Sequence, residues 1–190
     1  MNTATTTRRA LCITLLAAAA ATAWAQPAEH FPSRPIKIIV AFAPGTGSDA
    51  VARIVASAMG AALGQSVIVE NHSGAAGTLG TEQGARAAAD GYTLTLATTS
   101  TLLTNPALNP KLRYQPDKDF VPIAGLARTP FVLVTADRAD TPRSLAELKA
   151  RLASAGGAFG SSGTGTIGHL AAEYFVRQAG VQAVHVPYRG

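Results

Sequence analysis

Three turns rich in glycine, serine and threonine hold the residue types in this sequence that could bind a ligand. The turns span residues 43–49, 71–77 and 161–168, and each lies between an apolar run and a helical pattern. Backbone N–H groups at the start of a helix, together with the helix dipole, favour an anion. Glycine allows a ligand close to the main chain, and hydroxyl groups add donors. The turns therefore predict a cleft that holds a carboxylate or another small anion through neutral donors.

The sequence gives little evidence of a catalytic or metal-binding site. His30, His72, His169 and His185 form no H-x-x-x-H pair, and Cys12 is the single cysteine, so a disulfide framework and a cysteine-based metal site are excluded. There is no G-x-S-x-G elbow and no lysine in a phosphate loop, and no base can be placed beside the hydroxyls of the third turn. His169, in the first turn of a predicted helix, could reach a ligand or serve packing, and His185, in a predicted strand, is expected to be structural. We expect no catalytic residue, no metal and no cofactor, and a binding protein instead of an enzyme.

A dinucleotide site is the alternative interpretation of the first turn. Residues 45–50 fit G-x-G-x-x-A, and Glu70 ends the next predicted strand, where an acid would bind a ribose. Against it, Pro44 stiffens the approach to the turn and Asp49 would bring negative charge beside a pyrophosphate. Export would also remove the chain from the main nicotinamide pool. An exported dinucleotide-binding oxidoreductase stays open as the alternative function.

Short apolar runs alternate with Ala-rich helical patterns, which is typical of a βαβ architecture and predicts an α/β fold. Residues 36–42 are β-branched and nearly continuous, like a strand buried on both faces. A helical spacing follows over 49–63, with Ser48 as the expected N-cap and Gly64 as the C-cap glycine. The other predicted strands are 66–70, 92–97, 158–160 and 183–186, and the other predicted helices are 78–89, 144–152 and 167–179. Because ligands bind at the carboxyl ends of parallel strands, all three turns fall where a site is expected.

Composition and charge exclude two classes of protein. The chain has 190 residues, of which 47% are hydrophobic and 14% charged, and its formal net charge is +5. The excess of basic residues is mild and scattered, so the sequence lacks the basic stripe of a nucleic-acid binder. The high apolar content is patterned, which excludes intrinsic disorder.

Residues 1–25 predict a cleaved secretory signal peptide. Arg8 and Arg9 precede an apolar run over 11–23, and Ala-Trp-Ala at 23–25 is an A-x-A cleavage site. A membrane anchor is the alternative, but the run is shorter than the roughly 20 residues that span a bilayer. We expect a mature chain without cysteine in the periplasm.

The third turn follows a break near residues 135–143. We expect residues 26–134 to form the first of two lobes and residues 135–190 to begin the second. A second lobe of this size is too small to bury a good core. The sequence also stops abruptly after a strand, so we expect a C-terminally incomplete chain. A non-functional receptor fragment is therefore a further alternative.

From residue 31 to residue 190 the chain resembles the periplasmic receptors of tripartite tricarboxylate transporters, the Bug-type solute receptors. The order of several short motifs carries this resemblance. They are FPSRPI at 31–36, APGTGSD at 43–49, EN at 70–71, GAAG at 74–77, DGYTL at 90–94, NP at 105–106, GTGT at 163–166, HL at 169–170 and VPYRG at 186–190. Thr46 departs from the pattern, since the family usually has a second consecutive glycine there.

The resemblance implies a two-lobed, type II periplasmic-binding (Venus flytrap) fold. It implies a monomeric extracytoplasmic receptor that binds a small carboxylate, often a di- or tricarboxylate, largely through backbone amides and waters, and delivers it to a membrane permease. It implies no nucleic-acid partner. The residues that it assigns to ligand binding are Gly45, Thr46, Gly47, Ser48, Asp49, Ala75, Ala76, Gly77, Thr99, Ser100, Ser162, Gly163, Gly165 and Thr166.

Overall fold

The computed structural model describes residues 30–188 of the chain. The predicted signal peptide over residues 1–25 and Cys12 lie outside the described residues. Of the described residues, 30–33 belong to one compact unit and 34–188 to a second. Across 30–188, no helix combines the length and the apolar character that crossing a membrane requires.

A three-stranded parallel sheet lies at the centre of the second unit. Its strands are β1 (Ile36–Val40), β2 (Val67–Asn71) and β3 (Thr93–Leu96), in the order β2-β1-β3. The β-branched residues of β1 are almost all buried, as the sequence predicts for a strand with both faces covered. Val40 pairs with both Asn71 and Leu96, so the carboxyl ends of all three strands meet at one edge of the sheet. We call this the carboxyl edge.

Two helices follow the first two strands. Helix α1 (Gly47–Leu63) packs Ala52 and Ala56 into the core, and Gly64 ends it in the left-handed conformation, as the sequence predicts. Helix α2 (Thr78–Ala85) is shorter than the predicted 78–89, so its predicted end is wrong. The last turn of this helix tightens, because the Ala87 N–H donates to the Gly84 carbonyl at 3.1 Å, and the helix ends there. The Asp90 carboxylate then accepts a hydrogen bond from the Tyr92 N–H at 3.0 Å in the turn before β3.

A second, two-stranded parallel sheet lies further along the chain. Its strands are β4 (Ala158–Ser161) and β5 (Val184–Pro187). Helix α5 (Leu145–Ala155) precedes β4, and helix α6 (Ile167–Ala179) connects the two strands. The Ser144 N-cap that the capping-box pattern predicts at the start of α5 is confirmed, whereas the Glu147 side chain bonds to the residue before the N-cap instead of to Ser144 itself. The Ser144 hydroxyl accepts a hydrogen bond from the Glu147 N–H at 3.2 Å, and the Glu147 carboxylate accepts one from the Arg143 N–H at 2.9 Å.

The chain between the two sheets is mostly irregular. It contains a π-type helical turn at Ser100–Thr104 and two single-turn helices, α3 (Asn105–Leu108) and α4 (Pro116–Asp119). Residues 120–134, which we call the apolar segment, then run without a strand partner among the described residues. Several of its side chains are exposed, with Val121 at 88% and Val134 at 77%.

Candidate functional site

The first turn is built around the start of α1. Thr46 is the N-cap: its hydroxyl accepts a hydrogen bond from the Asp49 N–H at 3.4 Å and donates one to the Ala43 carbonyl at 2.9 Å. The prediction of Ser48 as the N-cap is wrong, because the positive φ of Gly45 (84°) turns the chain early and starts the helix at Gly47. Ser48 therefore lies in the first helical turn, where N–H groups have no partner within the helix.

The Asp49 carboxylate points into the protein and holds the first turn together. It accepts hydrogen bonds from the Gly45 N–H at 2.9 Å, the Asn71 side-chain amide at 3.0 Å and the Arg53 guanidinium at 3.0 Å. Arg53, then Gly45 and Asn71, hold the pKa of this carboxyl well below its usual range. Asp49 therefore shapes the turn, and its predicted contact with a ligand stays a prediction.

Asn71 ties the second strand to the first turn, a role that the EN motif at 70–71 did not predict. Its side-chain amide also donates to the Phe42 carbonyl at 3.1 Å, and its side-chain oxygen accepts from Arg53 at 3.3 Å. The i,i+4 spacing of Asp49 and Arg53 on a helix was a signal for part of this network. Asn71 gave no such signal, because its contacts depend on the pairing of β1 with β2.

The second turn has an unusual main chain. Gly74, Ala75, Ala76 and Gly77 all have positive φ, with values of 137°, 49°, 54° and 86°. A left-handed conformation costs a residue with a Cβ about 1–2 kcal/mol, and such strain concentrates at ligand-binding and active sites. The strain at two adjacent alanines indicates that the shape of this turn is imposed by its surroundings.

Asn105 is one of the residues that surround the second turn and hold its shape. Its buried side-chain amide donates to the Ala76 carbonyl at 3.0 Å and to the Thr78 hydroxyl at 3.3 Å. Gly77 approaches the chain before Asn105 so closely that a Cβ at Gly77 would lie 2.8 Å from Cγ2 of Thr101. The second turn and residues 98–105 therefore form one packed unit at the carboxyl edge.

The third turn begins helix α6 in the same way as the first turn begins α1. The Thr166 hydroxyl accepts from the His169 N–H at 3.4 Å and donates to the Gly163 carbonyl at 2.8 Å, so Thr166 is a buried N-cap. The Ser162 hydroxyl donates to Thr166 at 3.4 Å. Gly163 and Gly165 have φ values of 127° and 88°, which glycine adopts without strain.

Two contacts bring the third turn against the carboxyl edge. The buried Ser100 hydroxyl accepts a hydrogen bond from the Ile167 N–H, at the start of α6, at 3.1 Å. A Cβ at Gly163 would lie 3.8 Å from Cα of Ala76. Thr99, beside Ser100, is exposed. The structure thus brings together predicted site residues of the second turn, of Thr99–Ser100 and of the third turn.

The first turn lies at the same edge of the sheet. Phe42, two residues after the end of β1, approaches the second turn: its ring Cζ would be 3.1 Å from a Cβ at Gly77. Apart from Asp49, the predicted site residues carry no charge. Such an arrangement can hold an anion through amide and hydroxyl donors at helix starts. Within residues 30–188, no three His, Cys, Asp or Glu side chains come together in a way that could hold a metal ion.

Glu70, the acid that the dinucleotide alternative requires, is engaged elsewhere. Its carboxylate pairs with the Lys37 ammonium at 2.9 Å and with His72 at 3.3 Å. Lys37 is the main cause of a lowered pKa at this carboxyl. The acid is therefore an ion-pair partner on the sheet, with its charge already compensated.

Comparison with known proteins places the chain in a family. Residues 51–190 match the family described as the tripartite tricarboxylate transporter family receptor, TctC. The chain is 36% identical to Protein BugT of Bordetella pertussis over 188 residues, which are 97% of this chain and 57% of that protein. The chain therefore spans about half the length of this relative.

Solved structures agree with that assignment. The R. palustris protein Rpa4515, solved with adipate, is 31% identical with a TM-score of 0.79. MatC (Rpa3494) from Rhodopseudomonas palustris, solved with malate, is 32% identical with a TM-score of 0.69. The matched part is 84% of this chain in both cases, and 54% and 55% of those chains. The family is described as one of receptors, which together with these structures confirms the expectations of a mixed α/β receptor fold and of a binding protein instead of an oxidoreductase. The chain belongs to the TctC family, the Bug-type receptors of tripartite tricarboxylate transporters.

Proposed function

We propose that this chain is part of a periplasmic receptor that binds a small carboxylate at the three turns and delivers it to a membrane permease. The observation that carries the proposal is the meeting of uncharged, donor-rich turns at the carboxyl edge, with the Ser100–Ile167 hydrogen bond joining the third turn to it. The adipate and malate held by two similar proteins support a carboxylate ligand. The periplasmic location rests on the family and on the predicted signal peptide over residues 1–25.

The side chains of the turns hold the turn shapes, whereas their main chains bind the ligand. Thr46, Asp49 and Thr166 are engaged in hydrogen bonds within the turns, so they hold the turn shapes. The ligand carboxylate then meets main-chain N–H groups at helix starts, such as those of Gly47 and Ser48, and the helix dipole adds to the attraction. Because the donors are neutral, binding selects by shape and hydrogen-bond geometry as well as by charge.

The division into lobes belongs to the same proposal. The three-stranded sheet and the two-stranded sheet lie on either side of residue 134, which supports lobes over 26–134 and 135–190. A monomeric receptor of two lobes closes when its ligand contacts both of them, because those contacts favour the closed state.

A titration with adipate and malate tests the proposal, with the uncharged adipamide as the control ligand. We expect adipate or malate, and not adipamide, to raise the melting temperature. At a ligand concentration of 100 times Kd the stabilisation is about 2.7 kcal/mol, or roughly 5–10 °C for a chain of this size. A folded chain that no carboxylate stabilises would contradict the proposal and favour the interpretation as a non-functional receptor fragment.

A charge placed at the start of α1 tests the location of the site. Ser48→Glu adds a carboxylate to the first turn of α1, where it favours helix formation and repels an anionic ligand. We expect this variant to fold and to bind adipate at least about tenfold more weakly. The matched control is Ser154→Glu near the end of α5, which should change Kd less than about twofold. Equal affinity for both variants would place the site elsewhere.

A further inference from the structure

Two histidine rings lie against each other beside the third turn. The rings of His169 on α6 and His185 on β5 stack with centroids 3.9 Å apart and planes at 29°. His185 also stacks on Phe159 of β4, with centroids 5.0 Å apart. We call these three residues the imidazole cluster.

Each ring of the histidine pair holds one part of the third turn. The Gly165 N–H donates a hydrogen bond to Nδ1 of His169 at 3.2 Å. Nε2 of His185 lies 2.7 Å from the Ser161 hydroxyl, which in turn accepts from the Gly163 N–H at 3.2 Å. The turn between Ser161 and Gly165 is therefore fixed at both ends to the stacked rings.

The bond from Gly165 requires one protonation state of His169. An N–H donor needs a lone pair on its acceptor, so Nδ1 carries no proton and the ring is neutral with its proton on Nε2. Nε2 faces the Glu173 carboxylate at 3.6 Å. The groups that reach the turn and the start of α6 from residues 100–131 carry no charge and include Ser100, Asn105, Leu108 and Phe131.

On the β4–β5 side, Tyr188 lies against Gly160 of β4. Glu173, which faces Nε2 of His169, is a charged neighbour of the cluster.

We propose that the neutral pair of His169 and His185 positions the third turn for binding, and that acidification weakens carboxylate binding. This inference rests on the proposed function. A proton on Nδ1 of His169 would place two donors face to face, so the Gly165 amide would have to turn away. A proton on both rings would place two positive charges within a 3.9 Å stack. Desolvation and the neighbouring His169 already lower the pKa of His185, in agreement with a pair that stays neutral.

Calorimetric titration with adipate at several pH values tests the inference. We expect Kd to rise about two- to fourfold from about pH 8 to about pH 6, the range in which an ordinary imidazole gains its proton. His169→Asn keeps an acceptor oxygen close to the position of Nδ1 but does not titrate. It should bind within about threefold of the unmodified chain at about pH 8 and show a flatter pH dependence. The matched control His30→Asn removes an exposed histidine outside the cluster and outside the three turns, and should keep the original pH dependence.

The outcomes separate the two proposals. Adipate and malate that fail to bind at about pH 8 contradict the proposed function. Binding with the same pH dependence in the unmodified chain and in His169→Asn contradicts the positioning role, and so does tighter binding at low pH, which direct attraction by a protonated ring would give. Imidazole nitrogen NMR shifts give a readout without ligand: a proton on Nδ1 of His169 at about pH 8 would overturn the inference by itself.

Discussion

Replacing Gly77 with alanine tests how closely the second turn packs against residues 98–105. Gly77 has a φ of 86°, and a Cβ there would lie 2.8 Å from Cγ2 of Thr101 and 3.1 Å from the Phe42 ring. Thr101 is fully buried and its hydroxyl is hydrogen-bonded to both the N–H and the carbonyl of Thr98, so its methyl group has no freedom to rotate away. The substitution therefore combines backbone strain with overpacking.

The expected magnitude follows from a comparison with Gly64. Gly64 has a φ of 66°, and a Cβ added there would have no neighbour within 4 Å, so Gly64→Ala measures the left-handed conformation alone. That conformation costs about 1–2 kcal/mol, and forcing a methyl group into a packed core costs about 1–3 kcal/mol more. We expect Gly64→Ala to lower the free energy of unfolding by about 1–2 kcal/mol and Gly77→Ala by about 2–5 kcal/mol.

Urea unfolding followed by far-UV circular dichroism measures both values. Thr101→Ser removes Cγ2 and keeps the hydroxyl, so in a double-mutant cycle it should recover about 1 kcal/mol or more of the loss in Gly77→Ala. It should recover none of the loss in Gly64→Ala. Equal losses at the two glycines, or no recovery with Thr101→Ser, would refute the close approach of these two segments.

Three further predictions concern the carboxyl edge and the core. Asp49 has a folded-state pKa below the ordinary value of about 4, so its contribution to stability is present above that pH and is lost below it. Asp49→Asn should therefore lower the urea midpoint at about pH 7, and the difference in midpoint between this variant and the unmodified chain should narrow by about pH 3. A difference in midpoint that does not change with pH would contradict the hydrogen bonds that the Asp49 carboxylate accepts. Asn105→Ala leaves the Ala76 carbonyl without its side-chain donor and should cost about 1–3 kcal/mol of unfolding free energy, whereas a cost near zero would mean that solvent replaces the bond. Ile39→Ala, at a side chain 1% exposed, should cost about 2–5 kcal/mol in the same assay, against less than about 0.5 kcal/mol for Ile54→Ala at 71% exposure.

The strands and the turns that start helices were predictable because their signals are local. The β-branched run of β1 and the Ser144 N-cap each act within a few residues, and the structure has both. The end of α2 was not predictable from its Ala-rich pattern. There, a tightened turn at Gly84–Ala87 ends the helix earlier than intrinsic helix propensity would.

The contacts that bring the residues of the candidate site together could not be predicted from the sequence. The Asn71 amide meets Asp49 only because β1 pairs with β2, and Ser100 meets Ile167 across 67 residues. Positive φ at Ala75 is likewise contrary to the local preference of alanine, so packing must impose it. Patterns in the sequence located the turns, whereas their mutual arrangement depends on long-range packing.

The apolar segment has a consequence for the protein in concentrated solution. The last four residues of the apolar segment and the two residues after it, 131–136, lie between Pro130 and Asp137. These six residues are uncharged and rich in β-branched and aromatic side chains. A stretch of this length and composition is typical of segments that stack into fibrils, and the proline and the aspartate flank it as gatekeepers. Self-association of a concentrated sample through this stretch is then opposed by these two flanking residues.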